Sequence, residues 1–145
     1  ARLAGPLVCM LADVDFFKHV NDQYGHQVGD RVLRQIASIL GQDLRGSDVL
    51  ARYGGEEFVL LLPGTTQAQG AAIAERLRSN VEHSAFIIPE GIDLDVTVSI
   101  GLVCLEPGVD TYGPDPAVWL FQQVDAALYE AKQTGRNRVV HAHPA

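Results

Sequence analysis

Residues Pro6 to Ala12 form an unbroken apolar run, the pattern of a central strand covered on both faces, and the run stops at Asp13-Val14-Asp15. Phe16 to Asp22 suit a short helical turn, which Tyr24-Gly25-His26 interrupts before a second helix. That helix carries Val32, Leu33, Ile36, Ala37, Leu40 and Leu44 at spacings of three to four, with Asp30 in its first turn and Gly41 and Gly46 at its fraying end. Two apolar runs follow, Val49-Leu50-Ala51 and Phe58-Val59-Leu60-Leu61-Leu62, the second closed by Pro63-Gly64. Between them lies Gly54-Gly55, which predicts a hairpin with a tight turn in which the glycines supply positive φ. Thr66-x-x-Gln69 is a capping box for a helix striped by Ile73, Ala74, Leu77 and Val81, followed by an irregular loop. Val96, Val98, Ile100, Leu102 and Cys104 then alternate with Thr97, Ser99 and Gly101, the signature of a half-buried strand. Turn residues mark a loop from Glu106 to Pro116. The last helix places Ala117, Leu120, Phe121, Val124, Ala127, Leu128 and Ala131 on one face, ends near Lys132 with Gly135 as C-cap, and leads to an edge strand over Arg138–His141.

Strand, helix, hairpin, helix, strand is the order βαββαβ, an α+β ferredoxin-like arrangement with an antiparallel-rich central sheet flanked by helices. A right-handed crossover makes the first two strands parallel, so their carboxyl ends share one sheet edge and the third strand returns between them. Asp13 therefore falls beside the hairpin tip at Glu56 and Glu57. Two adjacent acids at the head of a strand repel each other, and Glu is a poor strand former; a bound cation accounts for both. Carboxylates converging from distant parts of the chain make the oxygen-rich setting that Mg²⁺ takes when it also holds phosphates, the layout of a palm-type nucleotidyl transferase. Lys132 and Arg136, one turn apart at the end of the last helix, are placed to receive a triphosphate; favourable charge at a helix C-terminus explains Lys132 equally well.

Composition narrows the classes. The 145 residues, 47% hydrophobic, fit a single domain spanning 1–145 with a core of its own. Eighteen acids against eleven bases leave a net charge of −7, which argues against a nucleic-acid or polybasic membrane surface but allows a small anionic ligand held through a metal. No apolar run approaches a membrane span and no signal peptide is apparent, so a soluble, cytoplasmic domain is expected. Cys9 and Cys104 lie in apolar runs without metal or redox spacing and read as buried free thiols. His141-x-His143 is a weak chelating pair or a plain tail.

The run Arg52-Tyr53-Gly54-Gly55-Glu56-Glu57-Phe58 resembles the signature of the GGDEF-domain diguanylate cyclases in its Gly-Gly-Glu-Glu-Phe form. A specified five-residue string arises by chance in about one in 10⁴ chains of this size. Further stretches match: Asp13-Val14-Asp15-Phe16-Phe17-Lys18 with Asn21-Asp22, Tyr24-Gly25-His26 and Gly29-Asp30; Val98-Ser99-Ile100-Gly101; and Asp125 to Lys132 with Gly135-Arg136-Asn137. The resemblance covers about residues 7 to 140 and implies condensation of two GTP molecules into cyclic di-GMP with release of pyrophosphate. It also assigns roles. Asp13, Glu56 and the Val14 carbonyl would hold Mg²⁺ or Mn²⁺ with Glu57 assisting, Glu56 would also help deprotonate the attacking 3′-hydroxyl, and Asn21 and Asp30 would read the guanine edge. Phe16 and Phe17 through their backbone, with Lys18, Lys132 and Arg136, would contact the phosphates.

Arg45-Gly46-Ser47-Asp48 is an RxxD with five residues between Asp48 and Gly54, the family's spacing for a product-inhibition site, and Arg76 is a supplementary contact. The Asp-x-Leu-Thr-Gly-Leu-x-Asn-Arg-like segment that precedes the family's first strand is expected to be missing here, which bears on pocket closure. Because the reaction joins two nucleotides, a transient homodimer is implied, assembled by a neighbouring sensory or dimerisation domain or by ligand. A catalytically weak domain serving as a cyclic di-GMP or GTP receptor is the alternative, and an ATP cyclase on the same fold is disfavoured by Asn21 and Asp30.

Overall fold

The computed structural model describes residues 5–88, 91–108 and 113–142. The chain runs β1 (Leu7–Val14), α1 (Phe17–Tyr24), α2 (His26–Gly41), β2 (Val49–Arg52), β3 (Glu57–Pro63), α3 (Gln67–Glu82), β4 (Phe86–Ile88), β5 (Ile92–Leu94), β6 (Val98–Leu105), α4 (Pro116–Gln133) and β7 (Val139–His141). The main sheet is ordered β2-β3-β1-β6-β7, antiparallel except for the β6–β7 edge. β3 returns between β1 and β2, as the crossover argument requires, and the architecture is the expected α+β palm.

The sheet is covered on both faces. Val8, Met10, Ala12 and Val14 of β1 pack with Phe58, Leu60 and Leu62 of β3 and Ile100 and Leu102 of β6 beneath α2 and α3, through Ile36, Leu40, Ala74 and Leu77. Cys9, Leu11, Val59, Val103 and Leu105 point the other way, onto Leu120, Val124 and Leu128 of α4. A Cβ on Gly101 would lie 2.5 Å from both Leu128 N and Val124 O, so glycine is what lets α4 rest directly on β6. The capping box closes α3 as expected, Gln69 N donating to Thr66 Oγ1 at 3.2 Å and Thr66 N to Gln69 Oε1 at 3.0 Å.

Several expectations need correction. The stretch read as an irregular loop after α3 contains a two-stranded hairpin, β4–β5; its strands are three residues each, too short for a period to show. β6 is buried on both faces rather than half-buried, because Gly101 meets α4 and Ser99 binds a buried carboxylate. α2 begins at His26, so Asp30 is its fifth residue, beyond the first turn, and the helix ends at Gly41, leaving Leu44 to pack from the following loop. Gly54 and Gly55 are not among the positive-φ glycines, and the connection is wider than a two-residue turn: Arg52 pairs with Phe58, and Tyr53 N–H donates to the Glu57 carbonyl at 2.8 Å. Both thiols are free, although Cys104 is only half-buried. His143 and residues 109–112 of the expected loop lie outside the described residues, and no helix among those described is long and apolar enough to cross a membrane.

Candidate active site

The site forms where β1 and the β2–β3 connection end together. Asp13 stands opposite Glu57 on one side and Ser99 on the other, and Val14 N–H donates to the Glu56 carbonyl at 3.2 Å. Strand alternation turns Asp13 to the α4 face, where Lys132 Nζ donates to its Oδ2. The Asp13 side chain is 3% exposed, so this ammonium is its charge partner in a nearly dry setting.

Glu56 completes the cluster. Its carboxyl is pushed up to about 7 by partial burial, by the hydrogen bond it shares with Asp13 and by repulsion from Asp13, which Lys132 offsets in part. Glu57 is raised in the same direction, first by desolvation and then by the charge on Asp13. Among the described residues no three His, Cys, Asp or Glu side chains converge as a ready-made metal cage. Two converging carboxylates nevertheless suit a hard cation that takes its remaining oxygens from water and phosphate.

Asp15, which the sequence left without a role, is 6% exposed and accepts from Thr97 Oγ1 at 2.7 Å, Ser99 Oγ at 2.6 Å and Asn137 N at 3.0 Å. Its two oxygens are engaged by three donors, so it acts as an anchor and not as a ligand. The Asn137 bond brings the loop after α4 against the end of β1, and there the Arg136 guanidinium lies 4.7 Å from the Phe16 ring centroid. The non-glycine residues with positive φ among those described, Phe16, Arg136 and Asn137, all sit at this corner. Backbone held in a disfavoured region marks a place the surrounding structure over-determines.

Arg52 is a second residue missed from sequence. It donates to the Gly54 carbonyl at 3.3 Å and the Gly55 carbonyl at 2.6 Å, so the tip that carries Glu56 is held by a side chain where the expectation relied on glycine conformation. Its position two residues before a glycine pair was the available signal.

The remaining site residues separate into groups. Asn21 sits in the α1–α2 angle, where a Cβ on Gly29 would meet its Oδ1 at 1.9 Å; that Oδ1 is buried and has no hydrogen-bond partner. Asp30 is exposed and lines a groove of about 500 Å³ with Leu33, Arg34, Leu50, Arg52 and Phe58, of which Asn21 is not a wall. Lys18 is exposed on α1 and Phe17 is buried beneath it. On the far side, Arg45, Asp48 and Arg76 line one cleft of about 410 Å³ with Thr65 and Ile73. Arg45 is engaged there: its Nη2 donates to Thr65 Oγ1 at 2.9 Å and the Pro63 carbonyl at 3.0 Å, and its backbone N–H to Asp48 Oδ2 at 2.9 Å. Arg76 pairs with Asp43 at 3.6 Å.

A family model described as "Diguanylate cyclase, GGDEF domain" matches residues 1–138. The chain belongs to the GGDEF-domain diguanylate cyclase family. It is 44% identical over 135 residues to diguanylate cyclase A of Treponema denticola, covering 92% of this chain and 34% of the relative. The response regulator PleD of Caulobacter vibrioides is 44% identical over 142 residues, 97% of this chain and 30% of that protein. The chain thus spans about a third of the length of these curated relatives. Among solved structures, the GGDEF domain of DgcB from Caulobacter crescentus in complex with c-di-GMP superposes with a TM-score of 0.86 at 34% identity, covering 95% of this chain and 78% of that one. The active GGEEF domain of a diguanylate cyclase from Vibrio cholerae gives 0.84 at 31% identity, with coverages of 97% and 85%.

Proposed function

We propose that this GGDEF domain condenses two GTP molecules into cyclic di-GMP, each 3′-hydroxyl attacking the α-phosphate of the other nucleotide with pyrophosphate leaving. The observation that carries the reading is the convergence of Asp13, Glu56 and Lys132 at one sheet edge. Asp13 and Glu56 share a hydrogen bond that one cation would replace, so these carboxylates, with the Val14 carbonyl and Glu57 beside them, are the residues to hold Mg²⁺ or Mn²⁺. Bound there, the ion would neutralise phosphate charge and assist departure of pyrophosphate. Glu56, at the same sheet edge as Asp13 and Lys132, is the group to accept the 3′-hydroxyl proton. Lys132, paired with Asp13, and Arg136, seated over the Phe16 ring, are the cations to receive the triphosphate, with Lys18 and the Phe16–Phe17 backbone as further phosphate contacts of this proposal.

Guanine recognition falls to Asn21 and Asp30. The orphan Asn21 Oδ1 needs a donor, and Asp30 can accept from N1–H and the exocyclic amine; adenine, without the N1–H and with its amine elsewhere, would leave the buried Asn21 acceptor unpaired. Arg45, Asp48 and Arg76 form the cyclic di-GMP site, supported by their sharing one cleft. Two domains must face each other for the reaction, so a transient homodimer is part of this proposal, as is assembly by the rest of a longer protein.

Incubation with GTP and Mg²⁺ followed by nucleotide analysis tests the reading: cyclic di-GMP is expected from the native chain, and none from Glu56→Gln. Undiminished product from Glu56→Gln would remove the mechanism.

A further inference from the structure

The geometry points to Arg78, on α3 and outside the nucleotide site, as the positioning residue that fixes Arg136. The inference rests on the reading that Arg136 receives the triphosphate. Arg78 is 15% exposed in its side chain and binds three groups: Nε donates to the Glu75 carboxylate at 3.0 Å, Nη1 to Glu82 Oε2 at 3.2 Å, and Nη1 to Asn137 Oδ1 at 2.8 Å. Pairs with Glu75 and Glu82 are ordinary neighbours on one helix. The bond to Asn137 is different, because it joins residues far apart in sequence and reaches into the loop after α4.

Asn137 is held from every side. Its Oδ1 accepts from Arg78, its Nδ2 donates to Glu82 Oε2, and its backbone N–H donates to Asp15 Oδ2 at 3.0 Å. These bonds clasp a residue at φ 46°, next to Arg136 at φ 62°, two consecutive left-handed residues that would relax if left free. The Arg136 side chain itself has weaker restraint, a bond from Nη1 to the Lys132 carbonyl at 3.5 Å and its seat over the exposed Phe16 ring, while its backbone N–H donates to the Ala131 carbonyl at 2.9 Å and its carbonyl accepts from Arg138 Nε at 3.0 Å. The direction of the Arg136 side chain is therefore set by the backbone it leaves from, which is fixed on its amide side by the bond to Ala131 and on its carboxyl side by the clasp on Asn137. Arg78 supplies a planar guanidinium fork that holds carboxylates and an amide in fixed directions, where a lysine would offer a rotatable point charge.

The test uses 3′-deoxy-GTP, which lacks the attacking hydroxyl and so reports binding without turnover, titrated with Mg²⁺ into the full chain by calorimetry. Arg136→Ala and Arg78→Ala are each expected to weaken binding about tenfold, and the double variant to be no weaker than Arg136→Ala within about twofold. Steady-state kinetics with GTP should show the Arg78→Ala loss mainly in KM. Asn137→Gly keeps the left-handed backbone accessible while removing the clasped side chain, and is expected to behave like Arg78→Ala even where that variant folds poorly. Losses that multiply in the double variant, or native affinity in both Arg78→Ala and Asn137→Gly, would overturn the inference. Native affinity in Arg136→Ala would instead overturn the phosphate reading on which it stands.

Discussion

Replacing Lys132 with Met tests how the acidic cluster tolerates its own charge. Met keeps the length and apolar stem of lysine and removes the ammonium, leaving Asp13, 3% exposed, beside Glu56 and Glu57 with no cation. Breaking a buried ion pair from one side costs about 3–5 kcal/mol. Lys132 retains 30% exposure, so solvent already screens the pair, and Glu56 can share a proton with Asp13; both bring the loss to or below the bottom of that range, about 2–3 kcal/mol. For a chain of this size that corresponds to a fall in melting temperature of roughly 6–9 °C. The assay is thermal unfolding at neutral pH with and without MnCl₂, on Lys132→Met, Asp13→Asn and the double variant. The double variant should recover most of the loss, since removing both charges leaves nothing unpaired. Mn²⁺ should raise the melting temperature of Lys132→Met more than that of the native chain, because the ion takes the place the ammonium held. A Lys132→Met protein that melts with the native one, and gains no more from Mn²⁺, would refute the pairing and return Lys132 to the status of a solvated charge at a helix end.

Three further outcomes follow from named contacts. Glu56 is raised from the ordinary carboxyl value of 4.5 to about 7, so between those values the unfolded chain releases a proton that the folded chain keeps; stability should fall as pH rises through this window and level off above it, and Glu56→Gln should flatten the profile in urea titrations. Gly101→Ala forces a methyl against the backbone of α4 at 2.5 Å and should cost about 1–3 kcal/mol, with cyclic di-GMP formation falling as Lys132 is displaced; native stability would show that α4 slides freely over β6. Arg45→Ala should abolish cyclic di-GMP binding in calorimetry while Glu56→Gln retains it, and equal binding by Arg45→Ala and native chain would make the RxxD a loop brace alone.

The sequence by itself determined the order of the elements and the chemistry brought to the sheet edge. Apolar alternation and helical stripes are local records of which faces are covered, so β1, α2, β3, α3 and α4 were legible from periodicity. A right-handed crossover then placed Asp13 beside Glu56 and Glu57 without any coordinates. Local records end where an interaction depends on a distant partner. The β4–β5 hairpin was invisible because three-residue strands carry no period, and β6 read as half-buried because serine and glycine look like a polar face. Only the fold shows that Ser99 serves Asp15 and that Gly101 admits α4. Likewise the Lys132–Asp13 pair, the raised Glu56 carboxyl and the Arg78–Asn137 clasp each join segments or environments that the chain order does not bring together. Burial sets how strongly charges interact, and burial is a property of the packed molecule, so the placement of the acids was written in the sequence while their protonation and their partners were decided by tertiary structure.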